Sequence, residues 1–412
     1  MKCATRLAIV SAVLIACTSC QDKEALQLPS DASVALPPDD AGGDGGETPG
    51  LSRGDLLAGF GACILDRARD FHAQVGTLET TLAALVASPG DDNRDRARAA
   101  FRAAFASWQE SEVLQVGPAA PLAVAGGQEL RDQIYSWPLV SRCAVEETLV
   151  SQAYAQPGFT SAVVNRRGLA ALEVLLFHDG ADTACGPTSP IVSSGSWAAL
   201  DAGERAARRR AYALAAAADL RARATTLVAA WSPGQGDFVR TLASAGPGNP
   251  TYPTTQAALN GVSDALFYVE AISKDLKLAP AIGLRDCDVA PCPALLESPY
   301  AALNKAHLGA NLRGFRRIVE GCGTGYGGLG LDDLLVAVGG GTVAASLRTR
   351  ALAVEAALAA IDEPDLAAAL AADPPSVRAV YDAFKALSDV MKTDLVSVLD
   401  LELPASVEGD ND

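Results

Sequence analysis

The residue that most invites a chemical reading is Glu173, a carboxylate set in the run Leu169-Ala170-Ala171-Leu172-Glu173-Val174-Leu175-Leu176-Phe177. A charge in such surroundings is costly to bury and is normally paired. Two outcomes stay open: Glu173 lines a pocket and binds a cation or polar ligand, or it pairs with Arg166, Arg167 or an arginine across a bundle. Other chemistry is sparse. The three histidines are His72, His178 and His307; none has a carboxylate three residues away and no HExxH occurs, so a histidine-rich metal centre is hard to build. There is no GxSxG elbow and no Walker loop. Residues 323–328 satisfy GxGxxG, but they follow a helical run and read as a loop. Tyr268 and Glu270 offer oxygen to hard cations, as isolated residues only.

Helices must position these groups. The chain is 49% hydrophobic but only 5% aromatic, with Ala and Leu carrying most of the apolar content, which favours close-packed helices over sheets. Leu56, Leu57, Phe60, Ile64, Ala68, Phe71 and Val75 recur at spacings of three and four, and Phe101, Phe105 and Trp108 share a stripe in a helix over 91–116. Further helical runs are expected over 140–154, 161–177, 201–231, 255–276, 300–320, 341–361 and 375–399. Glycine and proline punctuate them, most heavily over 232–250. The expectation is an all-α protein of two antiparallel helical-bundle domains, residues 51–232 and 251–405.

The front of the chain reads as an export and anchoring signal. Lys2 and Arg6 precede the apolar run Leu7–Ala16, too short to cross a bilayer, so 1–16 is expected to be a signal peptide. Leu14-Ile15-Ala16-Cys17 looks like a bacterial lipobox, which implies lipidation at Cys17 and a stable membrane anchor. Thr18 stands where an inner-membrane retention signal would place Asp, pointing to the outer membrane. Residues 17–50, rich in Gly, Pro and Asp, read as an acidic tether. Six cysteines remain in the body: Cys63, Cys143, Cys185, Cys287, Cys292 and Cys322. In an exported chain this is most simply three disulfides, with Cys287–Cys292 the easiest pair to propose and the others open. The formal net charge of −16 argues against a nucleic-acid partner and leaves cationic ligands electrostatically easier.

Gly168 and Glu173, followed by Val174-Leu175-Leu176-Phe177, resemble the central GxHxxE motif and apolar run of the imelysin-like family. Other segments match in order: Ser136-Trp137-Pro138; Asp275-Leu276-Lys277-Leu278 with Gly283; Glu297-Ser298-Pro299-Tyr300; Ala310-Asn311-Leu312-Arg313-Gly314; and Gly330-Leu331-Asp332-Asp333-Leu334-Leu335. The resemblance covers roughly 55–400. It implies a two-domain helical protein of the bacterial envelope, from a family named for a proposed metallopeptidase activity and linked to iron-regulated uptake.

One departure matters. Ala170 stands where the family histidine would be, about 60° around a helix from Glu173, and offers neither a metal ligand nor a proton carrier. His178 lies about 140° from Glu173 and cannot replace it. The expected role is therefore non-enzymatic ligand or iron handling by a lipid-anchored envelope protein. The ligand-site candidates are Glu173, Trp137, Lys277, Glu297, Ser298 and Asn311. Any metal, iron or another divalent cation, would use Glu173, and none is required by the sequence. The partners expected are the membrane, through the anchor, and an envelope protein of an uptake system. A metallopeptidase with a carboxylate-based metal site is one alternative; a scaffold that binds another envelope protein is the other.

Overall fold

Residues 51–404, 406 and 407 are described in a computed structural model. The signal segment 1–16, Cys17 and the tether to residue 50 lie outside the described residues. Within them every regular element is a helix, in agreement with the all-α expectation.

Two long helices, α1 (Arg53–Ala87) and α2 (Asp91–Glu112), are joined by a turn at Ser88-Pro89-Gly90 that folds one back on the other. The Ser52 hydroxyl caps α1 by accepting from the Asp55 backbone N–H. The predicted stripe of α1 is its buried face, and Phe71 meets Trp108 of α2 with ring centroids 5.0 Å apart. Short helices follow: α3 (Leu130–Ile134), α4 (Arg142–Ser151), α5 (Gly168–Phe177), α6 (Pro190–Ser193) and α7 (Ser196–Ala199). Then α8 (Ala202–Trp231), capped by Asp201, packs on α1 and α5, its buried Ala213, Ala216, Ala217 and Ala224 allowing close approach.

Beyond the Gly/Pro-rich stretch come α9 (Phe238–Ala243), α10 (Thr255–Leu266), α11 (Asn304–Val319), α12 (Leu331–Ala337), α13 (Gly341–Ala359), α14 (Leu366–Ala372), α15 (Pro374–Val390) and α16 (Val396–Leu399). Two expected helices are interrupted by π turns, at Val269–Lys274 after α10 and Met391–Leu395 after α15. The helix expected from 161 begins only at Gly168, after two 3₁₀ turns. Residues 323–328 form a 3₁₀ turn behind α11, as a loop.

The halves on either side of 232–250 are closely joined. Helix α11 packs on α2, and α1 packs on α9 and α10. Cys63 of α1 is bonded to Cys322 after α11, a link spanning 259 positions. Cys143–Cys185 and Cys287–Cys292 complete three disulfides, the second being the pair proposed from spacing. The division into two bundles at that stretch remains our reading of the sequence.

Candidate functional site

Two glycines bring the relevant elements together. At Gly168, the start of α5, φ is +71° and a Cβ would lie 2.4 Å from the Ile134 carbonyl oxygen. Only glycine fits there, and the fit brings α5 against α3. At Gly314 a Cβ would lie 2.2 Å from the Glu110 carbonyl oxygen, so its absence lets α11 lie directly on α2. That approach allows Asn311 Nδ2 to donate to the Gln109 backbone oxygen at 2.7 Å and to Gln109 Oε1 at 2.9 Å.

Residues 297–301 form the hub between the halves. Glu173 Oε1 accepts from the Ser298 hydroxyl at 2.8 Å, the Tyr300 N–H at 3.0 Å and the Ala301 N–H at 2.9 Å. Among the described residues no arginine pairs with it: Arg167 instead meets Asp219 at 2.8 Å, both buried. Burial raises the Glu173 carboxyl to about 7; the three donors pull it down, and nearby Glu297 pushes it further up.

Glu297, the next side chain along, faces the other way. Its Oε1 accepts from the Tyr135 hydroxyl at 2.6 Å, Gln109 Nε2 at 3.0 Å and Lys277 Nζ at 3.0 Å; its Oε2 lies 2.9 Å from His307 Nδ1. Burial opposes ionisation of Glu297, but Lys277 and His307 outweigh it and hold the carboxyl well below its ordinary value. Lys277 also donates to Gln109 Oε1 at 2.6 Å and Asn311 Oδ1 at 2.9 Å. The i→i−5 bonds of the π segment, continued by Lys277 N–H to the Ile272 oxygen at 2.9 Å, set the register that turns Lys277 inward.

Five of the six residues expected from sequence, Glu173, Lys277, Glu297, Ser298 and Asn311, thus gather in one buried network. Trp137 does not join it. It lines a cavity of about 530 Å³ beside the network, together with Arg131 and Tyr268. The Tyr268 ring separates the two places: Lys277 Nζ sits 5.4 Å from its centroid on the network side. Sequence reasoning missed Gln109, Glu112, Tyr135 and the pairing of His307. Gln109 and Glu112 fall on the buried side of α2 one and four residues after Trp108, and a polar residue on an apolar helix face is the signal that would have found them.

The donor set does not suit a bound metal at the motif. Ala170 contributes no ligand, Glu173 commits one oxygen to three donors, and Glu297 is satisfied by Lys277 and His307. Among the described residues one group of three potential ligands converges, Cys143, Glu147 and Cys185, and its two sulfurs are bonded to each other. The network joins α2, α5 and α11 to the segments at 277 and 297–301, and its groups are buried.

Comparison with known proteins follows the same lines. The family model described as imelysin matches residues 64–393. The structure resembles an imelysin-like protein from Psychrobacter arcticum, with a TM-score of 0.62, 16% identity, and coverage of 86% of this chain and 98% of that one. It also resembles a protein from Parabacteroides distasonis proposed to be an iron-regulated protein A precursor, with a TM-score of 0.63, 16% identity, and coverage of 88% and 97%. No curated protein matches the chain.

Proposed function

Because the chain belongs to the imelysin family, we propose that it is a non-enzymatic, lipid-anchored protein of the cell envelope that acts in ligand or iron handling, beside an envelope partner of an uptake system. One observation carries the non-enzymatic part. The motif carboxylate, Glu173, has no histidine beside it and spends its oxygen on Ser298, Tyr300 and Ala301. A hydrolytic metal site needs several fixed ligands around an open position, and a general base needs a route to its substrate. Glu173 lines neither the cavity at Trp137 nor the one at Tyr326. Its carboxyl near 7 is the consequence of burial at a junction.

The lipobox ending at Cys17 supports a lipid anchor, and Thr18, where an inner-membrane retention signal would place Asp, supports the outer membrane. No helix among the described residues is long and apolar enough to cross a membrane. The iron link rests on the name of the Parabacteroides relative. Of the two cargoes, the donor geometry favours an organic ligand over a bare ion.

The test is peptide hydrolysis by the purified chain with zinc, ferrous iron or calcium, with and without chelator. No chelator-sensitive cleavage is expected. Metal-dependent cleavage lost in Glu173→Gln would replace this reading with the peptidase one.

A further inference from the structure

The segment between Lys277 and Glu297 is a loop held shut at three levels. The buried ion pair of those two residues closes its base at 3.0 Å. Further out, the Cys292 N–H donates to the Ala281 oxygen at 2.9 Å, and the Cys287–Cys292 disulfide closes the tip. Gly283, at φ +83°, lets the loop fold on itself, since a Cβ there would lie 2.4 Å from that of Ala290. This braced loop presents apolar side chains to solvent. Val289 is 80% exposed, and Leu284, Pro291 and Leu295 are exposed as well. Asp286 and Asp288 stand beside Val289 in the chain. An apolar tip on a pre-shaped loop gains by burial and loses little freedom on docking.

The cavity at Tyr326 has the complementary chemistry. It measures about 450 Å³, with Leu312 of α11 and Leu358 of α13 in its wall, and its lining sets Lys305, Arg313 and Arg316 against one carboxylate, Glu355. Arg316 is matched by Glu320 and Glu355, and Arg313 by Glu110 at 3.2 Å. Lys305 is not matched by an acid: its Nζ donates to the backbone oxygens of Ile361 and Glu363, and among the described residues no carboxylate pairs with it. In a chain of net charge −16, a cavity with an excess of cations favours an acidic visitor. Loop and cavity are also neighbours. The 3₁₀ turn Pro293–Leu295 at the end of the loop packs on α14, and Pro364, two residues before α14, lines the cavity. A lipid surface suits the loop less well. Residues 284–295 hold no Trp or Tyr to sit among headgroups, and Asp286 and Asp288 are repelled by anionic lipid.

We propose that the loop docks on a second copy of this chain, the tip of each protomer seated in the Tyr326 cavity of the other. Val289 enters beside Leu312 and Leu358, and the acids flanking it neutralise Lys305. Because each copy carries both features side by side, a two-fold axis satisfies both contacts at once and the assembly closes as a dimer.

The experiment is sedimentation velocity on the full chain carrying Cys17→Ser, so that no acyl group drives association. A concentration-dependent equilibrium of monomer and dimer is expected, weakened by salt. Val289→Asp and Lys305→Glu should each abolish association over the range in which the parent dimerises. A contact broken once is not broken again, so an equimolar mixture of the two variants, which keeps one intact contact per mixed pair, should regain part of it. Circular dichroism checks that each variant folds, and Val289, at an exposed tip, tests the loop even where Lys305→Glu does not. A monomer up to on the order of 0.5 mM, a dimer unmoved by both substitutions, or growth beyond two copies overturns the proposal. So does Val289-dependent binding to phosphatidylglycerol vesicles by a protein that stays monomeric, which gives the loop to a lipid surface.

Discussion

Lys277 Nζ and Glu297 Oε1 meet at 3.0 Å with neither side chain more than 3% exposed, one arriving from the π segment after α10 and the other from the hub at 297–301. The pair is surrounded by Gln109, Tyr135, His307 and Asn311, so each charge is desolvated and hydrogen-bonded at once. Its contribution over two neutral residues of like shape is small, whereas leaving one charge alone is costly.

Glu297→Gln and Lys277→Met are each expected to lower unfolding stability by about 3–5 kcal/mol, and the double variant by less than the sum. Urea unfolding of the two singles and the double decides it. Strict additivity would mean the two charges do not depend on each other.

Glu173 gives a pH signature of opposite sign to Glu297. Its folded carboxyl, near 7, lies above the unfolded value, so its contribution is full below that unfolded value and is lost as pH rises through about 7. Glu297 is held low, so its contribution is present above the ordinary carboxylate value and is lost in acid. Glu173→Gln, which keeps an oxygen for the three donors, should therefore recover stability at pH 8 relative to pH 5 by on the order of 3 kcal/mol. Identical pH profiles for the two proteins would show that Glu173 does not titrate in this range.

Gly314→Ala places a methyl where the Glu110 carbonyl oxygen stands, 2.2 Å away. A loss of about 1–3 kcal/mol is expected as α11 lifts from α2. Gly168→Ala meets the Ile134 oxygen at 2.4 Å and adds left-handed backbone strain, so it should cost at least as much. Thermal melts compare them directly, with Gly59→Ala in α1, which meets nothing within 4 Å, as the control.

Cys63–Cys322 closes a far longer loop than Cys287–Cys292, with separations of 259 and 5. Replacing the first pair by serines is expected to cost about 2–5 kcal/mol, and replacing the second to cost less. Melting temperatures of the two double variants provide the check. An equal effect would mean that constraint of the unfolded chain is not what the long link supplies.

The helices were legible because local rules govern them. The stripe of α1 and the aromatic row of α2 are visible as spacing, and their burial follows. The π turns were not legible: residues 255–276 have continuous helical periodicity, and nothing in that spacing marks the i→i−5 bonds at Val269–Lys274. Five candidate residues were visible through ordered short motifs, yet their partners were not. His307 pairs with a carboxylate ten positions away, outside the three-residue spacing that marks a histidine–carboxylate pair on one helix.

The amino-acid sequence by itself determined the all-α class, the family, the six-cysteine disulfide framework and the isolation of Glu173 in an apolar run, because each is written in composition or in spacing over a few turns. Only the tertiary structure decided that Glu173 binds backbone N–H groups instead of an arginine, that Lys277 is neutralised by Glu297, and that Tyr268 stands between this network and the Trp137 cavity. The physical reason is that burial and pairing are properties of neighbours in space. Here those neighbours come from residues 109, 135, 173, 277, 297 and 311, which no local pattern relates.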